Sequence, residues 1–142
     1  MKTLICMMGL PRSGKSTWAL AQRIPVISPD AVRMEMYGQR FWAPGEKMVW
    51  ATTDLMVRTL FESGNNVVIL DATNTTRWQR DQWISESWET CFKVINTPRS
   101  ICVERAEAAG QLDLIPVINK MFMDYEELVM GSERPWYGNF AP

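Results

Sequence analysis

Short apolar runs alternate with amphipathic stretches along this chain. Thr3-Leu-Ile-Cys-Met-Met8 is apolar and closes at Gly9, which predicts a strand buried on both faces, as in a parallel sheet. Gly9 to Ser16 reads as a loop, and Thr17 to Arg23 continues as a helix. Pro25-Val-Ile-Ser28 is a second short strand. Ser28-Pro-Asp30 opens a helix, with Pro29 in its first turn. Gly38 to Gly45 is a loop rich in aromatic residues and arginine. From Glu46 to Glu62 the apolar positions 48, 49, 51, 55, 56, 57, 60 and 61 follow helical spacing, and Ser63-Gly64-Asn65 stops that helix. Asn66-Val-Val-Ile-Leu-Asp71 is a third buried strand ending in a carboxylate. Thr76 to Trp88 is predicted helical, with Trp78 and Trp83 facing inward. Cys91-Phe-Lys-Val-Ile95 is the fourth strand. Ser100 to Ala109 and Pro116 to Met130 are helices joined across Gly110, and Gly131 to Pro142 is an irregular tail. Strands alternating with helices predict an α/β fold: a mostly parallel sheet of about four strands with helices on both faces.

Composition narrows the function. The chain has 142 residues, 46% hydrophobic and 22% charged. That suits one ordinary domain over residues 1–142 and argues against bulk disorder. Fifteen basic against sixteen acidic residues leave a net charge of −1. No global positive field holds nucleic acid, so such a partner needs a local patch. There is no histidine, which excludes His-based acid–base chemistry, Ser-His-Asp and Cys-His nucleophiles, and His-ligated metals. Cys6, Cys91 and Cys102 form no CxxC; they read as small buried hydrophobes in a reducing compartment. The early apolar run Leu4–Leu10 is too short for a signal segment, and no stretch approaches ~18 consecutive apolar residues. The expectation is a cytoplasmic protein with no membrane partner.

Gly9-Leu-Pro11-Arg12-Ser13-Gly14-Lys15-Ser16 satisfies G-x-x-x-x-G-K-[ST] between a predicted strand and a predicted helix. Glycines let backbone N–H groups converge on a polyanion, and the helix start adds partial positive charge. Lys15 suits the β- and γ-phosphates of ATP or another NTP, and the Ser16 hydroxyl suits Mg²⁺. Asp71, at the end of the third strand, is the second candidate metal ligand, since strand C-termini face the crevice of such sheets. Its alternative is a turn cap before Thr73 and Thr75. The expected architecture is therefore a P-loop NTPase-type sheet. That motif names a nucleotide, not a reaction. Asp30, just after the second strand, is the candidate base for a hydroxyl acceptor; its alternative is a helix cap. Arg33 lies on the same helix face, and an acid beside a guanidinium suits an acceptor bearing both hydroxyl and phosphate. Its alternative is an ordinary intrahelical ion pair.

Gly9-Leu-Pro11-Arg12-Ser13-Gly14-Lys15-Ser16-Thr17, then Asp30-Ala-Val-Arg33, then Asp71-Ala-Thr-Asn74 resemble the polynucleotide 5′-kinase family, in particular the kinase domain of bacteriophage end-healing enzymes. Val103 to Met121 resembles that family's lid and following helix, so the likeness extends over about residues 1–125. It implies transfer of the ATP γ-phosphate to 5′-OH ends of DNA or RNA, with Mg²⁺. Asp30 would be the base and Arg33 the holder of the neighbouring 3′-side phosphate. Residues Gly9 to Thr17 would hold the donor. A lid at about residues 99–116 would bring Arg105 onto the donor phosphates. The lid departs from the family pattern: Ala109 stands where a basic residue is common, and none occurs between Arg105 and Lys120. Arg105 then acts alone or with Arg99; its alternative is an exposed helix residue paired with Glu104 or Glu107. The family's DxDxT phosphatase domain has no counterpart here, so the resemblance implies either a phosphatase or ligase acting in trans or a role that needs none.

Arg12, Arg40, Arg77 and Arg80 are candidates to line a backbone groove, with Trp42 or Tyr37 stacking a base. The alternative is solvated arginines and core tryptophans. Arg134-Pro-Trp136-Tyr137 is a candidate cover for adenine. Two other functions stay open: a P-loop kinase of a small molecule (nucleotide, sugar or antibiotic), and a non-catalytic NTP-binding module. Nothing in the sequence sets the oligomeric state.

Overall fold

The central strand is β1 (Thr3–Met8), formed by the first apolar run. In the computed structural model, which describes residues 1–142, β3 (Val67–Leu70) and β4 (Glu89–Val94) pair with β1 on either side. β2 (Val26–Ile27) lies outside β3, and β5 (Arg134–Pro135) lies outside β4. The order is β2-β3-β1-β4-β5 and every pairing is parallel. Six helices accompany the sheet: α1 (Lys15–Ala21), α2 (Pro29–Tyr37), α3 (Glu46–Glu62), α4 (Arg77–Asp81), α5 (Arg99–Ala108) and α6 (Ile115–Asp124).

The two-residue period of β1 builds the layers. Leu4 and Cys6 enter a cluster with Val57 and Phe61 of α3, Trp83, Trp88 and Phe92. Ile5 and Met7 enter the opposite cluster with Ala19 of α1 and Ile69. Side chains alternate across a strand, so one apolar run feeds both faces. A third cluster joins Leu10 to Cys102 and Ala106 of α5, Leu114, and Ile118 of α6. It seats the α5–α6 hairpin against the end of β1. No helix is long and apolar enough to cross a membrane.

Four expectations change. The helix from Thr76 ends at Asp81, not Trp88. The Trp83 carbonyl accepts from Trp88 Nε1 and Thr90 Oγ1, which folds residues 84–88 into a tight return to β4. Trp83 is buried as expected, but Trp78 is exposed. The last helix stops at Asp124 rather than Met130, and Tyr125 is extended. The carbonyls of Glu126 and Glu127 turn instead toward Arg80. The tail is not wholly irregular: β5 is a fifth strand. Pro135 lacks a donor and is tolerated because β5 is an edge strand.

All three thiols are buried, and burial pushes each above the usual cysteine range. A thiol-specific chromogenic reagent should therefore titrate none of them in the native protein and three in denaturant. Rapid native labelling would contradict that packing.

Candidate functional site

Loops diverge at the strand C-termini where the sheet order reverses around β1, which leaves a crevice. A cleft of about 1680 Å³ opens there, lined by residues 11–18 on one wall and by Asp30, Arg33, Trp50 and residues 71–74 on the other. Two glycines are required. A Cβ on Gly9 would fall 2.9 Å from the Ile95 carbonyl oxygen. Gly14 has φ 103° at the start of α1, a conformation that strains any other residue. Arg12 also takes a left-handed conformation, φ 66°. The loop is tied down from outside: Gly9 N–H donates to the Thr73 carbonyl (2.9 Å) and Thr97 Oγ1 to the Ser13 carbonyl (2.6 Å). Asn74 Nδ2 donates to the Met7 carbonyl (2.9 Å). The loop after β3 is thereby stitched to β1 beside the phosphate loop.

Lys15 and Ser16 occupy the first turn of α1. Lys15 is buried, and its ammonium donates to the Leu10 carbonyl (2.7 Å). Burial lowers its pKa, and the charges of Asp71 and Asp30 offset only part of that. Both carboxylates thus act on the ammonium that would meet a donor phosphate. Ser16 Oγ donates to Asp71 Oδ2 at 2.6 Å, which brings two hard oxygen ligands together from separate elements. No three His, Cys, Asp or Glu side chains converge to form a protein cage. That donor set fits Mg²⁺, which takes one or two protein oxygens and completes its shell with phosphates and water.

Ser28, not Asp30, caps α2: its hydroxyl accepts from Ala31 N–H (3.2 Å). Asp30 is left in the first turn with its side chain 78% exposed. Arg33 Nη1 donates to Asp30 Oδ1 (2.7 Å). On its other edge, Nε and Nη2 grip both oxygens of Glu46 (2.9 and 2.7 Å). The guanidinium also lies over the Trp50 ring, 5.6 Å from its centroid. The bond to Glu46 is the main reason the Arg33 pKa is raised further. Sequence reasoning missed Glu46, which reads there only as an acid at a helix start. Its partner is thirteen residues away, across a loop with no periodic signal.

Arg105 on α5 reaches the phosphate loop, where Nη1 donates to the Arg12 carbonyl (3.1 Å). It pairs with neither Glu104 nor Glu107. Arg99 does not join it, because its guanidinium lies over Phe122 at 4.4 Å. Arg40 lines the cleft and bonds Asp113 at 3.0 Å, a contact that spans from the loop before α3 to the turn before α6. Such an exposed pair contributes roughly 0–1 kcal/mol and opens readily.

Other candidates are elsewhere. Arg77 and Arg80 are absent from the cleft walls. Arg80 is fully buried against Glu133 (2.7 Å), and Arg77 bonds Asp81 (3.4 Å). Tyr37 and Trp42 pack on each other edge to face at 5.0 Å and stay outside the cleft lining. Trp136 packs against the Ile5 and Met7 cluster and stacks on Phe140, so the tail does not cover the phosphate loop. Trp18, Trp50, Trp78 and Trp83 are the tryptophans that line the cleft, and Trp78 is the most exposed of them.

The family model described as "AAA domain" matches residues 4–110. The chain belongs to that AAA-domain family. Its parallel sheet, phosphate loop and flanking helices make it a P-loop kinase-like member. No curated protein matches it. Among solved structures, this AAA-domain chain is similar to one from the Pnkp1/Rnl/Hen1 complex: 28% identity, TM-score 0.64, with 73% of this chain and 38% of that one covered. It thus spans well under half of that relative. A chain of the Pnkp1/Rnl/Hen1 RNA repair complex shares the fold at 18% identity, TM-score 0.65, covering 92% of this chain and 50% of that one. A gluconokinase from Sinorhizobium meliloti 1021 does so at 19% identity, TM-score 0.63, covering 94% and 79%.

Proposed function

We propose that the chain is an ATP-dependent polynucleotide 5′-hydroxyl kinase. The observation that carries this reading is the Asp30–Arg33 pair, 2.7 Å apart, opening into the same cleft as Lys15, Ser16 and Asp71. A carboxylate beside a guanidinium offers one group to a hydroxyl and the other to an adjacent phosphate. A strand end carries both. The likeness to chains of an RNA repair complex supports the same reading.

In this reading residues 1–142 form one kinase domain. Lys15 and the loop N–H groups of residues 9–17 hold the donor phosphates. Ser16 and Asp71 would hold Mg²⁺, which would neutralise charge on the donor phosphates. Asp30 orients the 5′-hydroxyl and takes its proton. The hydroxyl oxygen attacks the γ-phosphorus in line, the bond to the β–γ bridging oxygen breaks, and ADP leaves. Arg33, held by Glu46, binds the 3′-side phosphate of the terminal nucleoside. Arg105 reaches over the phosphate loop from α5, and residues 99–116 act as the lid. A phosphatase or ligase would act in trans on the same ends. A kinase of a small polyhydroxyl molecule is the second reading, favoured by the gluconokinase likeness over 94% of the chain.

Label transfer from γ-labelled ATP with Mg²⁺ separates the two. Acceptors are 5′-OH DNA and RNA oligomers, a nucleoside 3′-monophosphate, nucleosides, nucleoside 5′-monophosphates and sugars including gluconate. We expect label on the oligomers, reduced about a hundred-fold or more by Asp30→Ala. Label confined to a sugar or free nucleotide would overturn the proposal.

A further inference from the structure

Trp78 is 72% exposed, the most exposed of the seven tryptophans, and it lines the cleft. Its placement is enforced locally. A capping box between Thr76 and Gln79 fixes the start of α4. Arg80, two residues on, is fully buried, and positions i and i+2 of a helix do not share a face. Burying Arg80 therefore turns the indole outward. No ring stacks on Trp78 and no cation lies over it. An indole left open in a cleft lacks the cover that its apolar area favours.

The polar side chains of the same cleft are partly engaged. Gln79 Oε1 accepts from Thr76 N–H (3.3 Å), Gln82 Nε2 donates to the Trp78 carbonyl (3.0 Å), and Asp54 accepts from Arg58 (2.9 Å). A polyol here would meet an aromatic face, with only the remaining polar atoms of these side chains for its hydroxyls. A nucleobase needs only the face. Stacking is tolerant of sequence because every base has a π-face.

We propose that Trp78 is the stacking platform for an unpaired nucleobase of the acceptor strand, and that it selects single-stranded ends without reading their sequence. The proposal rests on the kinase reading above and deepens it.

The test is steady-state transfer by wild type, Trp78→Ala and Trp78→Phe. Acceptors are single-stranded 5′-OH oligomers with an abasic residue walked through the first three positions. Trp78→Ala should raise KM for the intact oligomer roughly 5- to 150-fold with kcat little changed, and Trp78→Phe should recover most of the loss. At one position the abasic residue should cost wild type a similar factor and cost Trp78→Ala nothing more. Because Trp78 is exposed, the melting temperature should not move, so a KM change reports binding. An unchanged KM in Trp78→Ala, or equal losses on every abasic oligomer, would overturn the platform while leaving the kinase reading intact. A wild type that labels sugars and no oligomer would bring down both.

Discussion

Lys15→Met should cut phosphoryl transfer by about a thousand-fold or more while leaving the ligand-free protein at least as stable as wild type. The first half follows from charge: in the proposed reaction this ammonium meets developing phosphoryl charge, which is worth at least as much as a lost oxyanion donor. The second half follows from burial. Lys15 is only 8% exposed, and desolvation lowers its pKa despite Asp71 and Asp30. A lowered lysine pKa means that the folded state disfavours the charged form. At neutral pH that penalty is fully present. Between the lowered folded value and the unfolded value near ~10.4, the unfolded chain holds a proton that the folded chain has released. Wild-type stability should therefore rise with pH across that window. Methionine removes the penalty and flattens that rise. A bound polyphosphate reverses the balance by favouring the ammonium, so Mg-ATP should raise the wild-type melting temperature and leave that of Lys15→Met nearly unmoved. Thermal melts with and without Mg-ATP, run beside the transfer assay, check both halves. A melting temperature several degrees lower for the ligand-free variant, or retained transfer, would contradict this account.

The sequence made one half of the cleft legible and left the other dark, for a physical reason. The phosphate loop, Asp30, Arg33 and Asp71 sit at or just after strand ends, and such positions converge whenever the strands are parallel neighbours. Local pattern was therefore enough to place Lys15 and Ser16 against Asp71. The wall that carries Arg33 and Trp78 depends on contacts that no local pattern encodes. Glu46 meets Arg33 across a loop, and Trp78 faces outward only because Arg80 faces inward. Arg80 itself reads as a solvated arginine until Glu133, fifty-three residues later, is brought beside it. β5 was missed because two residues, one a proline, carry no period and no ladder signal.

Arg80→Ala should be strongly destabilising, costing about 3–5 kcal/mol. The guanidinium is fully buried and bonds both oxygens of Glu133 (2.7 and 3.2 Å). It also bonds the carbonyls of Asn74 (3.1 Å), Glu126 (2.9 Å) and Glu127 (3.2 Å). Truncation leaves three carbonyl acceptors unpaired and leaves the buried carboxylate with only Val129 N–H (3.0 Å) and Arg77 (3.8 Å). A loss of that size should lower the melting temperature by about 10–17 °C. Its pH dependence separates an orphaned charge from simple loss of packing. Burial pushes the Glu133 carboxyl up, but the bonds from Arg80 and Val129 N–H, with the charges of Arg80 and Arg77, outweigh it and hold the pKa below the usual value. That stabilisation is fully present above the unfolded value near ~4.3 and is lost as pH falls through the lowered one. Without Arg80, only Val129 N–H and the more distant Arg77 (3.8 Å) oppose burial, so the folded pKa rises above its wild-type value. The deficit in Arg80→Ala should then grow from pH 4 toward pH 7, as urea titrations across that range would show. A deficit independent of pH would mean that packing alone is lost. Because Arg80 also holds the Asn74 carbonyl, the loop between β3 and α4 should loosen with it. Activity should then fall at temperatures where the rest of the chain is still folded.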